Sequence, residues 1–365
     1  MMHISDLDTP AILIDVDVME RNVRGLAEYC REHALHLRPH TKTHKIPELA
    51  QMQLRCGAVG ITVAKVGEAE AMADGGIQDI LIVYPLLGPR KLDRLAALAR
   101  RARVTAAIDS FEVASCLSSL ARRCGVPIGV RVEFDTGFGR CGLPIETSSV
   151  DTARAIRDLP GLEWRGLNVY PGHIMHSAAE RPALIERENE RLAKLLELAD
   201  AAGLDRTVVS GGNTPAAYES HRFTGVTEIR PGTYIFNDKN TVCAEAATYD
   251  DCAFTVLTRV VSRSVPGKAI VDAGSKTLSG DLLLSGDRHG YGHVLGYDDV
   301  VIEDLSEEHG HLNVRQAERQ PCLGELIRIV PNHVCPCINL HDRVYGVRNE
   351  EVVEEWVVAA RGKVQ

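Results

Sequence analysis

The segment Leu37-Arg38-Pro39-His40-Thr41-Lys42-Thr43-His44-Lys45 brings two lysines, two histidines and an arginine into nine residues. It follows one helix-like segment and precedes another, which opens at Pro47. A buried lysine is uncommon unless it takes part in chemistry, because desolvation lowers the pKa of the ammonium group and leaves an amine nucleophile suited to Schiff-base formation. The alternative interpretation is a basic surface loop, which residue burial alone favours. Residues elsewhere in the chain have to distinguish a reactive lysine from a basic surface loop.

Short apolar runs alternate with amphipathic helical segments about eight times between residues 11 and 230. This alternation predicts parallel strands joined by helical crossovers. Because no G-x-G-x-x-G turn follows an early strand, a parallel (β/α)8 barrel fits better than an open dinucleotide-binding sheet. Residues 11–16 are predicted to form the first strand and residues 35–40 the second. Lys42 would then lie at the carboxyl end of a strand, where barrel enzymes carry their active sites.

The pattern changes after about residue 238. Five segments of strand-like composition follow, separated by Gly, Pro, Asn and Asp and without helical segments between them. They are residues 254–262, 269–272, 326–330, 343–347 and 354–359. We therefore predict an α/β protein with a (β/α)8 barrel of the alanine racemase type over residues 1–238, followed by an all-β domain over residues 239–365.

The composition indicates a globular protein that does not bind polyanions. The chain has 365 residues, 45% of them hydrophobic and 25% charged, which are ordinary values. The formal net charge of −9 argues against nucleic acid and anionic membranes as partners. No apolar run reaches the roughly 18 residues that span a bilayer, no signal-peptide core is evident, and the ten cysteines are scattered. We expect a cytoplasmic protein with reduced thiols.

Glycine-rich turns follow three of the later predicted strands. Residues 135–142 form a turn that carries Arg140 to the predicted mouth of the barrel. The turns at residues 210–215 and 230–234 contain small residues that expose backbone N–H groups, and their polar side chains add hydrogen-bonding groups, a combination that suits a phosphate. Each turn alone also describes an ordinary helix cap, but two on successive strands favour a ligand. The polar side chains are Asn213, Thr214 and Thr233.

A His-x-Cys pair occurs in the second predicted domain, at His333 and Cys335. On an extended segment, side chains two residues apart point to the same side. An imidazole nitrogen and a thiolate would then form a partial zinc site, with positions left open for water or substrate. Asp304, Glu308 and His309, just upstream, are candidates to complete or orient this site, with the capping of a loop as the alternative. The alternative is that Cys335 packs in the core and His333 makes an ordinary structural hydrogen bond. This is the more common situation for a histidine and a cysteine two residues apart.

With these features the chain resembles the D-threonine aldolase and D-serine dehydratase family. These proteins are relatives of alanine racemase that combine a barrel binding pyridoxal 5′-phosphate (PLP) with a β domain. The resemblance covers nearly the whole chain and is most specific in a few short segments. They are residues 38–45, 139–142, 308–310, 333–335 and 339–342.

The resemblance implies a role for each candidate residue. Lys42 is the lysine that bonds PLP, and His40 and His309 are further catalytic candidates. Arg140 contacts the phenolic oxygen of the cofactor, and Tyr170 lines its pyridine ring. Residues of two turns hold the phosphate, and the His-x-Cys pair holds a divalent metal ion (zinc, manganese or magnesium). The turn residues are Gly211, Gly212, Asn213, Thr214, Gly232 and Thr233, and the metal ligands are His333 and Cys335.

The implied activity is that of a PLP- and metal-dependent lyase acting on D-3-hydroxy-α-amino acids. Aldolases of the family usually carry His-x-Asp at the metal and dehydratases His-x-Cys, as here, whereas residues 76–80, 88–92 and 339–342 look more like the aldolases. On the breadth of the resemblance we predict D-threonine aldolase-type cleavage to glycine and an aldehyde. The alternative is a D-serine or D-3-hydroxyaspartate dehydratase that releases ammonia from the same site.

Two other activities fit the sequence less well. A racemase would need a second base on the opposite face of the cofactor and no metal, which His333 and Cys335 argue against. A non-catalytic PLP carrier would lack the second domain, of about 125 residues. The resemblance also implies a homodimer, because these barrels tend to build the site where the β domain of one subunit meets the barrel of the other. The expected small-molecule partner is a D-amino acid.

Overall fold

The structure is a computed structural model that describes residues 2–284 and 290–365. The chain divides into two compact units, termed here the barrel unit and the β unit. The barrel unit comprises Gly25–Lys42, Pro47–Gly232 and Lys363–Gln365, and the β unit comprises Met1–Arg24, Thr43–Ile46 and Thr233–Gly362.

The barrel unit contains eight parallel strands. From the second strand to the eighth, each strand pairs with the next one along the chain, and the first strand pairs with the eighth. His40, just beyond the first strand, bridges Thr62 in the second, and the Thr62 N–H donates to the Pro39 carbonyl at 2.8 Å. These contacts close the sheet, so the predicted parallel barrel is confirmed. The strands are His36–Leu37, Ile61–Val63, Asp79–Ile82, Arg103–Ile108, Ile128–Phe134, Leu162–Val169, Val209–Gly211 and Glu228–Ile229.

Helices cross over between these strands, as the sequence pattern predicts. Phe111–Cys124 shows the local reason: the Ser110 side chain accepts the Val113 N–H at the start of this helix, and Gly125 ends it with φ of 67°, a left-handed conformation that glycine adopts readily. The helices cover strands that are buried on both faces. The crossover helices are Pro47–Arg55, Val66–Asp74, Pro89–Ala99, Phe111–Cys124, Thr147–Arg157 and Arg181–Ala201.

The β unit is built on a second, mostly antiparallel sheet that includes an N-terminal strand. Ala11–Asp15 pairs antiparallel with Phe254–Ser262 and parallel with Arg343–Arg348. The prediction that residues 11–16 form the first barrel strand is therefore wrong. An apolar run indicates a buried strand, but it does not show which sheet the strand joins. The strands are Met2–His3, Ala11–Asp15, Phe254–Ser262, Lys268–Val271, His293–Val294, Val301–Leu305, Gly310–Asn313, Leu326–Val330, Arg343–Arg348 and Glu351–Val357.

Two details differ from the predicted division of the chain. The boundary between the units falls within the helix Val16–Glu32 and again after Gly232, so the β unit includes the N-terminal strand as well as the C-terminal third. The β unit also contains short helices that the sequence pattern did not indicate, at Lys239–Cys243, Ser275–Leu278 and Val334–Ile338.

In the described part of the chain, no helix is both long and apolar enough to cross a bilayer.

Candidate active site

Lys42 lies in a short 3-10 turn, Thr41–Thr43, directly after the first barrel strand. Its side chain is half-buried, and its backbone N–H donates to Nδ1 of His40 at 3.3 Å. The bridge between His40 and Thr62 fixes this turn at the carboxyl end of the strands. The structure thus places the amine at the end of a barrel where catalytic groups are found.

Lys45, the second lysine of the segment, has a structural role. It is 5% exposed, and its Nζ donates to the Ala360 carbonyl at 3.2 Å. The Lys45 carbonyl in turn accepts the Ala360 N–H at 3.1 Å. This reciprocal pairing occupies the amine, which leaves Lys42 as the better cofactor lysine. His44 repeats the pattern of His40, because its Nδ1 accepts the N–H of Ile46 at 3.1 Å. Both histidines therefore shape the backbone around the lysines.

The turn that carries Arg140 is folded around Asp135. The Asp135 carboxylate accepts the N–H groups of Gly137 and Gly139, each at 3.0 Å. Burial alone would raise the pKa of Asp135, but these backbone N–H groups outweigh it and lower the pKa. Gly137 and Gly139 both have positive φ, at 116° and 70°, which glycine tolerates. The sequence therefore fixes a compact loop that presents Arg140 at its tip.

Arg140 and Tyr170 lie in contact with each other. The guanidinium carbon of Arg140 lies 4.7 Å from the centre of the Tyr170 ring and 5.0 Å from that of Phe138. The two rings meet edge to face at 5.4 Å. Cation–π contacts of this kind hold a guanidinium in place while leaving its N–H groups available. Arg140 is exposed and Tyr170 is half-buried, so both are accessible to a ligand.

The turn at residues 211–214 follows the strand Val209–Gly211 and has the backbone of an anion site. Gly212 adopts φ of 80°. Among the described residues, no hydrogen bond is donated by the backbone N–H of Gly212, Asn213 or Thr214. Three successive N–H groups without a protein acceptor are what a phosphate requires.

The side chain of Asn213 serves the loop instead of a phosphate. Its Nδ2 donates to the carbonyls of Pro171 and Ile174, both at 2.9 Å, and its Oδ1 accepts the Ala216 N–H at 3.0 Å. All of its hydrogen-bonding atoms are thus in use. The expectation that this side chain offers a group to phosphate is not supported by these contacts, whereas its backbone N–H fits the role.

The second predicted phosphate turn, residues 230–234, contains the point at which the chain passes from the barrel unit to the β unit. Gly232 is the last residue of the main barrel segment, and Thr233 is the first of the following β-unit segment. Gly232 is buried and Thr233 half-buried. Thr233 opens a 3-10 turn, Thr233–Ile235, and its carbonyl accepts the N–H of Asn237 at 2.7 Å. Phosphate binding by these two residues stays a prediction.

A buried arginine in the barrel interior was not predicted as part of the site. Arg230 is 6% exposed, and it donates to the Ser210 hydroxyl at 2.6 Å and to the Val169 carbonyl at 2.8 Å. Burial lowers its pKa to about 10. The sequence does contain a signal for Arg230, because a charged residue directly after a barrel strand is a candidate for the site. The prediction did not include it.

The metal-binding candidates lie in the β unit, in a geometry that differs from the predicted one. His333 is extended, with φ of −142° and ψ of 120°, but Cys335 lies in the first turn of the helix Val334–Ile338. The prediction of a continuous extended segment is therefore wrong. The start of the helix nevertheless brings the imidazole and the thiol within hydrogen-bonding reach of each other.

Asp238 orients His333. It is fully buried, and its Oδ2 lies 2.8 Å from Nδ1 of His333 and 3.1 Å from the N–H of Val334. Its Oδ1 accepts the Thr241 N–H at 3.0 Å. Burial alone would lower the pKa of His333, but the Cys335 charge and the Asp238 hydrogen bond raise it well above the ordinary value. A metal ion binding at Nε2 would replace the proton held there.

Thr43 contacts the other candidate ligand. Its fully buried hydroxyl lies 3.4 Å from Sγ of Cys335. Within the described residues, no group of three or more His, Cys, Asp or Glu side chains is placed to hold a metal ion. His333 and Cys335 would therefore offer a metal ion one imidazole and one thiolate, with positions left for water or substrate.

His309 lies on the surface of the β unit. It is exposed, in the turn between the strands Val301–Leu305 and Gly310–Asn313, where its carbonyl accepts the Ser306 N–H at 2.9 Å. Its neighbour Glu308 pairs with Lys276 at 2.7 Å. The structure does not group His309 with His333, and its catalytic role stays a prediction.

A buried carboxylate near the Arg140 loop was also missed. Glu188, on the helix Arg181–Ala201, is fully buried, and its Oε2 lies 3.8 Å from both Nε2 of His173 and Nη1 of Arg191. Burial raises the pKa of Glu188 to about 7. The sequence does not reveal this burial, because a glutamate in an amphipathic helix is ordinarily expected on the exposed face.

Comparisons with protein families agree with this architecture. The family model "Alanine racemase, N-terminal domain" matches residues 14–240, which is more than half of the chain. The model "Putative serine dehydratase domain" matches residues 253–347. The first match spans the barrel strands and the second most of the C-terminal strands.

Comparisons with individual proteins extend along the whole chain. The 3-hydroxy-D-aspartate aldolase of Paracoccus denitrificans (strain Pd 1222) is 35% identical, over 99% of this chain and 94% of the relative. The crystal structure of D-threonine aldolase from Filomicrobium marinum has a TM-score of 0.92 at 36% identity, covering 99% of this chain and 98% of that one. A cysteine-to-alanine mutant of a D-threo-3-hydroxyaspartate dehydratase, in a metal-free form, has a TM-score of 0.88 at 31% identity, covering 98% and 99%.

Proposed function

Since the chain belongs to the D-threonine aldolase and D-serine dehydratase family, we propose that it is a PLP-dependent lyase of D-3-hydroxy-α-amino acids. The observation that carries this proposal is the half-buried Lys42 at the carboxyl end of the barrel strands. Lys45 is the weaker candidate for the reactive amine, because its Nζ already donates to the Ala360 carbonyl.

The barrel unit fits PLP at three points. Lys42 supplies the amine, Arg140 supplies a guanidinium held against Tyr170, and the backbone N–H groups at residues 212–214 supply donors for a phosphate. PLP, once bound, withdraws electrons from the bonds to the α-carbon of an amino acid. The protein's part is to hold the cofactor phosphate, to place Arg140 beside the ring and to keep the Lys42 amine partly shielded from water.

The β unit fits a divalent metal ion. His333 and Cys335 would hold it, and Asp238 would keep the proton on Nδ1 so that Nε2 faces the ion. A metal ion supplies a Lewis acid for the substrate hydroxyl. We propose zinc, because a thiolate and an imidazole are soft to borderline ligands that suit it. The metal-free form recorded for the mutant dehydratase supports a metal in that relative.

Retro-aldol cleavage to glycine and an aldehyde is the reaction we put first. Two similar proteins over the full chain length, at 35% and 36% identity, carry aldolase names. Loss of water and ammonia is the second candidate, and one specific observation favours it: Cys335 stands at the position where the aldolases usually carry an aspartate. A dehydratase, moreover, is 31% identical and covers nearly the whole chain.

We further propose a homodimer in the cytoplasm with a small D-amino acid as substrate. All ten cysteines are free thiols in the structure, which supports a reducing compartment. The dimer rests on the family resemblance, and light scattering of the holoenzyme tests it.

The decisive experiment is a product assay. The protein, loaded with PLP and zinc, is incubated with D-threonine, D-serine and D-3-hydroxyaspartate, with and without a chelator. Glycine and an aldehyde from D-threonine, lost with the chelator, would establish the aldolase. Ammonia and a keto acid would establish the dehydratase. A protein that turns over none of them and takes up no PLP would overturn the proposal.

A further inference from the structure

The amino end of the barrel strands, opposite the end that carries Lys42, surrounds a cavity of about 300 Å³. Asp79, Arg103 and Glu228 are the first residues of their strands and define this end. Four arginines and two carboxylates supply the charge of the lining. They are Arg38, Arg103, Arg131, Arg165, Asp79 and Glu228.

The two carboxylates are shared among three of the arginines. Glu228 accepts from Nε of Arg38 at 2.8 Å and from both terminal nitrogens of Arg131. Asp79 accepts from Nη1 of Arg38 at 2.7 Å and from Arg103. Although burial opposes it, the charges of Arg38 and Arg131 hold the pKa of Glu228 at about 2. Glu228 is therefore ionised, and within the lining four arginines face two carboxylates.

Two of the lining arginines also have donors that the protein does not use. Among the described residues, Nε of Arg131 and Nε of Arg165 are buried and have no hydrogen-bond partner. Arg131 is itself only 4% exposed. A buried N–H of a charged group without an acceptor is costly, and both of these N–H groups belong to residues that line the cavity. The fourth arginine, Arg165, pairs with Glu163, which is not part of this lining.

We propose that this cavity is a binding site for a small oxyanion of the phosphate type. A guanidinium offers parallel N–H groups in the geometry that phosphate oxygens accept. The cavity is several times larger than the roughly 30 Å³ that one water occupies in the liquid, so it has room for such an ion with some hydration. The four arginines of this cavity contrast with the chain as a whole, which has a formal net charge of −9.

The site is separate from the candidate active site, since it lies at the other end of the same barrel. Its failure would leave the lyase proposal untouched, and failure of the lyase proposal would leave this site standing. Inorganic phosphate and a phosphate monoester share the required chemistry, and the experiment below distinguishes them.

The test uses the PLP-loaded protein, in which the cofactor's own phosphate occupies the other predicted anion site. Calorimetric titrations with sodium phosphate and with glycerol 3-phosphate are compared with sodium chloride at matched ionic strength. The informative variants are Arg165→Gln and Arg103→Gln, because these side chains are 36% and 59% exposed and their loss leaves the buried Arg38–Glu228–Arg131 group intact. Arg343→Gln, at an exposed pair with Glu355 in the β unit, is the matched control.

We expect one saturable phosphate site per chain, weakened about tenfold or more in Arg165→Gln and Arg103→Gln, as loss of a charge-assisted hydrogen bond implies, and unchanged in Arg343→Gln. Tighter binding of glycerol 3-phosphate would identify a monoester as the ligand, and tighter binding of phosphate the free ion. The proposal is overturned if the PLP-loaded protein shows no binding beyond the chloride control, or if the two cavity variants bind as well as the parent.

Discussion

Nδ1 of His333 lies 2.8 Å from Oδ2 of Asp238, and the carboxylate is fully buried. In this contact Nδ1 donates to the carboxylate, which accepts. Nε2 is then the nitrogen available to a metal ion, on the side of Cys335. The pair is the arrangement by which carboxylates commonly orient metal-binding histidines.

Replacement of Asp238 by asparagine should weaken metal binding by about 10- to 100-fold, the usual effect of losing such a partner. Asparagine still caps the helix at Thr241, so the fold should be kept. Zinc affinity measured by competition with a chelating dye checks this. Asp251→Asn, at a cap formed with Thr248, is the control and should bind zinc normally. Equal zinc affinities in the two variants would show that Asp238 has no role in metal binding.

The Thr43 hydroxyl should affect the electronic properties of a bound metal ion through its contact with Cys335. Its hydroxyl contacts Sγ at 3.4 Å, and a hydrogen bond to a thiolate draws electron density from the sulfur. In the cobalt-substituted protein, Thr43→Val should therefore move the sulfur-to-cobalt charge-transfer band to longer wavelength. Thr43→Ser, which keeps the hydroxyl, should leave the band in place. A band that does not move in Thr43→Val would contradict this role.

Glu188 should make the stability of the barrel unit depend on pH. Burial raises its folded-state pKa to about 7, above the ordinary 4.5. Between these values the folded chain keeps a proton that the unfolded chain has lost, so stability falls as pH rises through this window. Glu188→Gln removes this titrating group. The free energy of unfolding of the variant, relative to that of the parent, should therefore increase by roughly 3 kcal/mol from pH 4.5 to pH 8.

Denaturant unfolding at several pH values measures this difference. His173, Arg191 and Asp135 also face or influence Glu188, and they are unchanged in the variant, so the comparison isolates the carboxylate. Glu186→Gln, at an exposed position of the same helix, should show no pH-dependent advantage. A constant difference between Glu188→Gln and the parent across the range would refute the assignment.

The sequence pattern was sufficient for the barrel but not for the partner of the N-terminal strand. Alternating strands and helices predict parallel pairing, since each crossover helix returns the chain to the same end of the sheet. Ala11–Asp15 precedes a helix in the same way, yet it pairs with Phe254–Ser262, more than two hundred residues later. Local periodicity contains no information on such a distant partner.

The same limit applies to the candidate site. Lys42 and the Arg140 turn were recognisable because their residue types occur together in short segments. Asp238 and His333 are 95 residues apart, and Thr43 and Cys335 are 292 apart, so only the fold brings them together. The buried Glu188 was not predictable either, because its helix pattern is that of an ordinary amphipathic crossover.

The central claim is that Lys42 bonds the cofactor, and borohydride reduction tests it most directly. The PLP-loaded protein is reduced, digested and examined by mass spectrometry for the pyridoxyl group. We expect the label on Lys42, absorbance of lysine-bound PLP that is lost in Lys42→Ala, and the same absorbance retained in Lys45→Ala. A label on Lys45 or on any other lysine, or colour that survives in Lys42→Ala, would contradict the account.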